Sequence, residues 1–311
     1  MTATLDDLLR RALAEDSPWG DLTSEAFIPV TATARAALVA REPGVASGLT
    51  AFARTFALVD GGPVACELTC ADGEGFAAGQ VLATVSGPAR AVLRAERVGL
   101  NLVQRLSGIA TLTARYVAEA TRGVEAARDT TATRGATARP APRPAPRIVD
   151  TRKTTPGLRQ LEKAAVRHGG GHNHRFSLSD AVMAKDNHLA VLTAAGLSVG
   201  DAIRAARERL PHTTTIEVEV DRLDQVEEVV AAGVDTIMLD NFSPADLAAG
   251  VALVAGRCLV EASGGINLDT VAAVAATGVD LISVGALTHG VASLDLGLDV
   301  EVSAGAGAGN E

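Results

Sequence analysis

Residues 214–285 read TTIEVEVDRLDQVEEVVAAGVDTIMLDNFSPADLAAGVALVAGRCLVEASGGINLDTVAAVAATGVDLISVG, and in them short apolar runs, polar punctuation and helical patterns succeed one another. The runs are Thr214 to Val220, Thr236 to Leu239, Cys258 to Val260 and Leu281 to Val284, with helical segments near 224–232, 244–254 and 268–276. Strands alternating with helices of this length are parallel βα units. Toward the N-terminus the pattern continues, with runs Arg147 to Val149 and Ala181 to Ala184 and helices near 157–167 and 200–209. The handedness rule lets such units wind into an open sheet or a barrel. A full eight-unit barrel takes about 250 residues. This portion is shorter, so the expectation is an incomplete α/β barrel.

The residues just past each run matter most. After the first come Asp150, Thr151, Arg152 and Lys153; after the others come Lys185, Asp186 and Asn187, then Asp240 and Asn241, then Glu261 and Ser263-Gly264-Gly265, then Gly285. Glu217 and Glu219 alternate with valines and lie on one side of their strand. Polar groups at the carboxyl ends of parallel strands line one mouth. A pocket built from six places is therefore expected.

The stretch from Asp150 to His188, DTRKTTPGLRQLEKAAVRHGGGHNHRFSLSDAVMAKDNH, crowds cations into a chain whose formal net charge is −9. Cations so concentrated need an anion among them, and an acidic protein does not spread positive charge for nucleic acid. Arginine holds a carboxylate or phosphate by a two-pronged pair. Glu219 and Asp240 suit a Mg²⁺ ion bridging phosphates, or a transition state that gains positive charge. The glycine turns at 263–265 and 285 can present N–H groups to a phosphate. Together these groups describe glycosyl transfer from a phosphorylated sugar.

The rest of the chain sets bounds. With 311 residues, 47% of them hydrophobic and 3% aromatic, the core must be built from Ala, Val and Leu. Three cysteines with no CxxC pair fit neither a disulfide framework nor a zinc ribbon, which points to a reducing cytoplasm. MTATLDDLLRRALAEDS lacks an apolar signal core, and no stretch of membrane-spanning length is apolar throughout. Thr4 caps a helix with leucines at 5, 8, 9 and 13, and β-prone residues from Thr31 to Arg41 and Val64 to Val85 flank a helix near Thr50 to Val59, making a small α+β domain. From Pro88 a helical pattern runs to about Ala120, interrupted at Ser107-Gly108; on pattern alone its Glu96 and Arg97 form a solvated face. Residues 128–147, RDTTATRGATARPAPRPAPR, carry no apolar periodicity and are expected as an exposed loop.

HGGGHNH at 168–174 invites a zinc reading or an oxyanion loop. Zinc ligands seldom sit among so many cations without carboxylate or thiolate help, and no GxSxG elbow exists to accompany an oxyanion loop.

DTRKTTPGLRQLEKAAVRHGGGHNHR, MAKDNH, EVEV, MLDN, EASGGI and SVGALTH, in that order, resemble the quinolinate phosphoribosyltransferase family, and the likeness extends to EDSPWGDLTS at 15–24 and ERVGLNLVQRLSGIAT at 96–111. The resemblance implies an N-terminal α/β sandwich domain, residues 1–115 with the return of 288–311, and an incomplete α/β barrel of six or seven strands over 116–287. It implies that phosphoribosyl passes from phosphoribosyl pyrophosphate to quinolinate with decarboxylation, giving nicotinate mononucleotide for NAD synthesis, with Mg²⁺ as cofactor. By matching positions, Arg97, Thr151, Arg152, His174, Arg175 and Lys185 bind quinolinate; Lys153, Glu219, Asp240, Ser263, Gly264, Gly265 and Gly285 bind the phosphoribosyl donor. Lys153, Glu219 and Asp240 are the implied catalytic groups, the two carboxylates holding the metal directly or through water. Arg97 is implied to enter the neighbouring active site of a homodimer, which reverses the solvated-face reading. A related pyrophosphorylase-like group linked to molybdenum transport shares much of the motif set and is the alternative.

Overall fold

The computed structural model describes residues 4–133, 144–185, 187, 188, 191, 194 and 196–303. They form two compact units: the first runs to Leu112 and takes in Thr155–Gly170 and the chain from Val291 on, and the second is Thr113–Thr154 with Gly171–Gly290.

The first unit opens with α1 (Leu5–Asp16), where the Thr4 hydroxyl accepts the Asp7 N–H and the Asp7 carboxylate accepts the Thr4 N–H. This reciprocal cap satisfies two otherwise orphaned donors and starts the helix where its leucine stripe begins. After α2 (Leu22–Phe27) come β1 (Thr33–Ala40), β2 (Gly44–Val45), α3 (Leu49–Leu58), β3 (Ala65–Leu68), β4 (Gly75–Phe76) and β5 (Val81–Pro88). With the final strand, β12 (Leu296–Ser303), they make a four-stranded antiparallel sheet of order β12-β1-β5-β3 and a two-stranded β2-β4 pair. Ala34, Ala36, Leu38 and Ala40 alternate onto the buried face of β1 and meet Leu9 of α1 and Phe52 and Phe56 of α3 in one core. Small strand residues let helices lie close against the sheet, which suits a chain with few aromatics.

The next helix, α4 (Ala89–Thr133), overturns two expectations: it does not break at Ser107-Gly108, and it runs into the segment expected as a loop. Ser107 and Gly108 are there for packing. The Ser107 hydroxyl donates to the Ser47 carbonyl and accepts the Ser47 N–H, both at 3.1 Å. A Cβ on Gly108 would lie 2.3 Å from the Ala292 carbonyl oxygen. The rest of the expected loop, residues 134–143, lies outside the described residues.

The second unit carries β6 (Arg147–Val149), β7 (Val182–Ala184), β8 (Ile216–Val220), β9 (Thr236–Asp240), β10 (Leu259–Ser263) and β11 (Leu281–Ser283), all six close to the expected runs. Their order is β6-β11-β10-β9-β8-β7, every pair parallel, and among the described residues the two end strands do not pair with each other. That is the incomplete α/β barrel expected. Helices follow the strands: α6 (Val199–Arg209), α7 (Val226–Ala231), α8 (Pro244–Val254), α9 (Val271–Ala275) and α10 (Ala286–His289).

The intervening helix α5 (Arg159–His168) corrects the expected domain boundary, because residues 155–170 pack with the first unit. Glu162, fully buried, accepts from Arg105 at 2.8 Å and from the Thr155 N–H at 3.1 Å, and Leu158 and Leu161 join the first core. A buried carboxylate holds its place only with such partners. No helix among the described residues is long and apolar enough to cross a membrane.

Candidate active site

Strand β6 ends at Val149, and Asp150, which follows it, is fully buried. Its carboxylate accepts the His174 N–H at 2.9 Å and the Asn173 amide at 2.6 Å, and residue 172 lies parallel to β6, with the His172 N–H on the Ile148 carbonyl at 2.8 Å. The HNHR segment is thereby held like a further strand beside β6, aiming His174 and Arg175. Sequence reading named Asp150 as part of the motif without giving it a role. Its signal was a carboxylate at the end of an apolar run, where charge is retained only if hydrogen bonds use it.

Of the expected residues, Thr151, Arg152, Lys153, His174, Arg175, Lys185 and Ser263 line one cavity of about 310 Å³. That volume belongs to a small ligand. Arg175 donates one Nη1 bond to the Ala181 carbonyl at 3.0 Å and keeps the rest of its fork. Burial and the neighbouring Arg152 guanidinium lower the Arg175 pKa, while Glu217 raises it. The Arg152 Nε is buried with no hydrogen-bond partner. Two guanidiniums near enough to repel, one with an unmet donor, make a seat for an anion.

Lys185 pairs with Glu219, which is largely buried. Asp240, at the end of the adjacent strand, accepts from the Asn241 amide at 2.7 Å. Asn241 has φ 60°, a left-handed conformation that asparagine tolerates. Its backbone N–H reaches the Ser263 carbonyl at 2.9 Å, so the ends of β9 and β10 are tied. Gly264, at φ +86°, lies so close that a Cβ would come within 2.1 Å of the Asn241 Oδ1; glycine is obligatory there. A Cβ on Gly285 would lie 3.1 Å from the Lys153 Cδ, so a bare backbone leaves Lys153 its room. The Lys153 carbonyl is held by the Thr288 hydroxyl at 2.8 Å. Asp240, Gly264, Gly265 and Gly285 stand at the same strand ends without lining the cavity, and Asp186 lies outside the described residues. Arg97 is exposed on α4, in the part belonging to the first unit.

Below the rim is a layer that sequence reading did not assign. Met238, Glu261 and Ser283 line the cavity, and Glu217, two residues before Glu219, stands behind His174. The alternation that placed Glu217 with Glu219 and Glu261 with Ser263 was the available signal. His174 Nδ1 accepts the Arg175 N–H at 2.7 Å, and its Nε2 faces the Glu217 Oε2 at 2.9 Å and the Glu261 Oε2 at 3.7 Å. Both ring nitrogens are engaged within the protein, which leaves neither for a substrate carboxylate in this arrangement. Burial, with Glu217 beside it, pushes the Glu261 carboxyl up to about 8. His174 acts against that rise, and burial outweighs it, so the protonated form is favoured.

Residues 21–107 match the family model for the quinolinate phosphoribosyl transferase N-terminal domain, and residues 109–299 that for its C-terminal domain. The chain belongs to the quinolinate phosphoribosyl transferase family. It is 43% identical over 302 residues to a nicotinate-nucleotide pyrophosphorylase (carboxylating) from Mycobacterium leprae, covering 94% of this chain and 96% of that one. A probable enzyme of the same name from Bacillus subtilis is 42% identical, with coverage of 96% and 94%. The crystal structure of NadC from Streptococcus pyogenes superposes with a TM-score of 0.82 at 40% identity, covering 96% of both chains. These matches favour the transferase family over the molybdenum-associated alternative.

Proposed function

We propose that this protein is a decarboxylating quinolinate phosphoribosyltransferase, transferring phosphoribosyl from phosphoribosyl pyrophosphate to quinolinate and releasing pyrophosphate and carbon dioxide as nicotinate mononucleotide forms. The observation that carries the reading is the pair of guanidiniums, Arg152 with an unpartnered buried Nε and Arg175 with most of its fork unspent, in a cavity of small-ligand size. Quinolinate carries two adjacent carboxylates. Arg152, Arg175 and Lys185 grip them, with Thr151 and His174 shaping the wall, and Arg97 of a second subunit closes the site in a homodimer.

Seated there, the diacid turns its ring nitrogen toward the rim. Ser263, Gly264, Gly265 and Gly285 receive the ribose 5′-phosphate on backbone N–H groups, and Lys153 meets the pyrophosphate. The nitrogen attacks C1 of the ribose as the C1–O bond breaks, and pyrophosphate leaves with the bonding pair. Glu219 and Asp240 stabilise the positive charge that builds on the sugar. The ring is then a pyridinium, which accepts the electron pair left at C2 when the adjacent carboxylate departs, and a proton takes that place. Positioning dominates over acid–base work.

Glu219 and Asp240 also fit Mg²⁺. Each commits one oxygen, to Lys185 and to Asn241 respectively, and keeps a second hard oxygen donor. Bound there, the ion supplies charge neutralisation for the leaving pyrophosphate. The test is to combine purified protein with quinolinate, phosphoribosyl pyrophosphate and Mg²⁺ and measure nicotinate mononucleotide by chromatography. Product is expected. Binding of both substrates without pyrophosphate release would make the protein an anion binder instead.

A further inference from the structure

Glu261 has no part in the mechanism above, yet it lies in the cavity floor with 1% of its surface exposed. One of its oxygens faces His174, and the other, Oε1, is buried without a hydrogen-bond partner. An ionised carboxylate there would set like charge against a dianionic substrate, with Oε1 unmet.

The geometry around His174 decides which form the floor takes. The Arg175 N–H donates to the Nδ1 lone pair at 2.7 Å, which leaves Nε2 as the His174 ring nitrogen that carries a proton toward the glutamates. Its one N–H, on Nε2, goes to Glu217 at 2.9 Å rather than to Glu261 at 3.7 Å. Oxygens of both glutamates and Nε2 lie within 4.8 Å of one another, so the two carboxyl groups crowd a single donor. Burial and the charge of Glu217 outweigh His174 there and favour a proton on Glu261.

We propose that Glu261 is a specificity residue that works as a neutral carboxylic acid, donating a hydrogen bond from the cavity floor to a carboxylate of the bound diacid, so that the complex keeps a proton on Glu261. This rests on the quinolinate reading. The other charged groups around the floor are Arg152 and Lys153 after β6, Arg175 beside His174, Lys185 on the β7 side, and Glu217 and Glu219 on β8. Glu219 is paired with Lys185 and Glu217 does not line the cavity, so Glu261 is the carboxyl of the floor that faces a bound ligand.

Linkage fixes the sign. A carboxyl held protonated by its ligand binds that ligand fully below its free-state value and loses affinity above it. Quinolinate affinity should be level up to about pH 8 and then weaken about tenfold per pH unit. The measurement is calorimetric titration with quinolinate from pH 6 to 9 on wild type and Glu261→Gln, with wild type repeated at pH 8.5 in buffers of different ionisation enthalpy. At pH 8.5 wild type should take up about 0.8 proton per quinolinate, and Glu261→Gln should show neither the uptake nor the alkaline fall. Wild type binding without proton uptake overturns the proposal, and it does so even if the variant fails to fold. A folded Glu261→Gln that keeps the alkaline fall overturns it as well. If wild type binds no quinolinate at any pH, the functional reading fails instead.

Discussion

Replacing Arg175 with alanine separates the two halves of the proposed site. The side chain spends one Nη1 bond on the Ala181 carbonyl and has the remainder of its guanidinium for the ligand. Two charge-assisted bonds to a carboxylate contribute roughly 1.5 to 3 kcal/mol each. The low end applies, because removing Arg175 also relieves its repulsion with Arg152. A loss of about 3 kcal/mol corresponds to quinolinate binding weakened about 150-fold. Phosphoribosyl pyrophosphate meets Lys153, the glycine turns and the acidic pair, none of which touches Arg175 through a hydrogen bond, so its affinity should stay within about threefold, roughly 0.7 kcal/mol. Calorimetric titration of each substrate alone reads both numbers. Arg175→Lys separates charge from shape, and should recover only part of the loss because a point charge cannot reproduce the fork. Equal weakening of both substrates by Arg175→Ala would refute the division of the site.

Three further outcomes rest on local geometry. Asp150→Ala removes the acceptor for the His174 N–H at 2.9 Å; it should lower unfolding free energy by about 2 to 4 kcal/mol in a urea titration and raise the KM for quinolinate, and an unchanged midpoint would contradict the positioning role. Gly108→Ala should destabilise by about 1 to 3 kcal/mol, since its Cβ meets the Ala292 carbonyl at 2.3 Å, whereas an unconstrained helical position would gain from alanine. Glu261 holds its proton in the folded chain and loses it in the unfolded one, so wild-type stability relative to Glu261→Gln should fall as pH rises from the ordinary carboxylate range toward about 8. Denaturant midpoints at successive pH values check this, and a wild type that gains on the variant over that window would contradict it.

The barrel was legible because its strands are buried on both faces and so read as unbroken apolar runs ending at polar residues; Ile216 to Val220 and Thr236 to Asp240 are clear instances. The rim was legible for the same reason. What failed had a tertiary cause. Ser107-Gly108 has the composition of a helix break, and only the Ser47 backbone and the Ala292 carbonyl explain why helix continues through it. Helix α5 comes after a barrel strand in sequence, so pattern alone assigned it to the barrel; the Arg105–Glu162 pair and the two leucines place it in the first unit. Glu261 was visible in the sequence, but the rise in its pKa comes from burial and from Glu217 beside it, which no spacing rule encodes.

The most direct test of the proposed site is a crystal structure of the protein with quinolinate bound. Both carboxylates should lie on Arg152, Arg175 and Lys185, with the ring nitrogen turned toward Glu219 and Asp240. Quinolinate held elsewhere, or with its nitrogen facing Met238 and Glu261 in the floor, would contradict it.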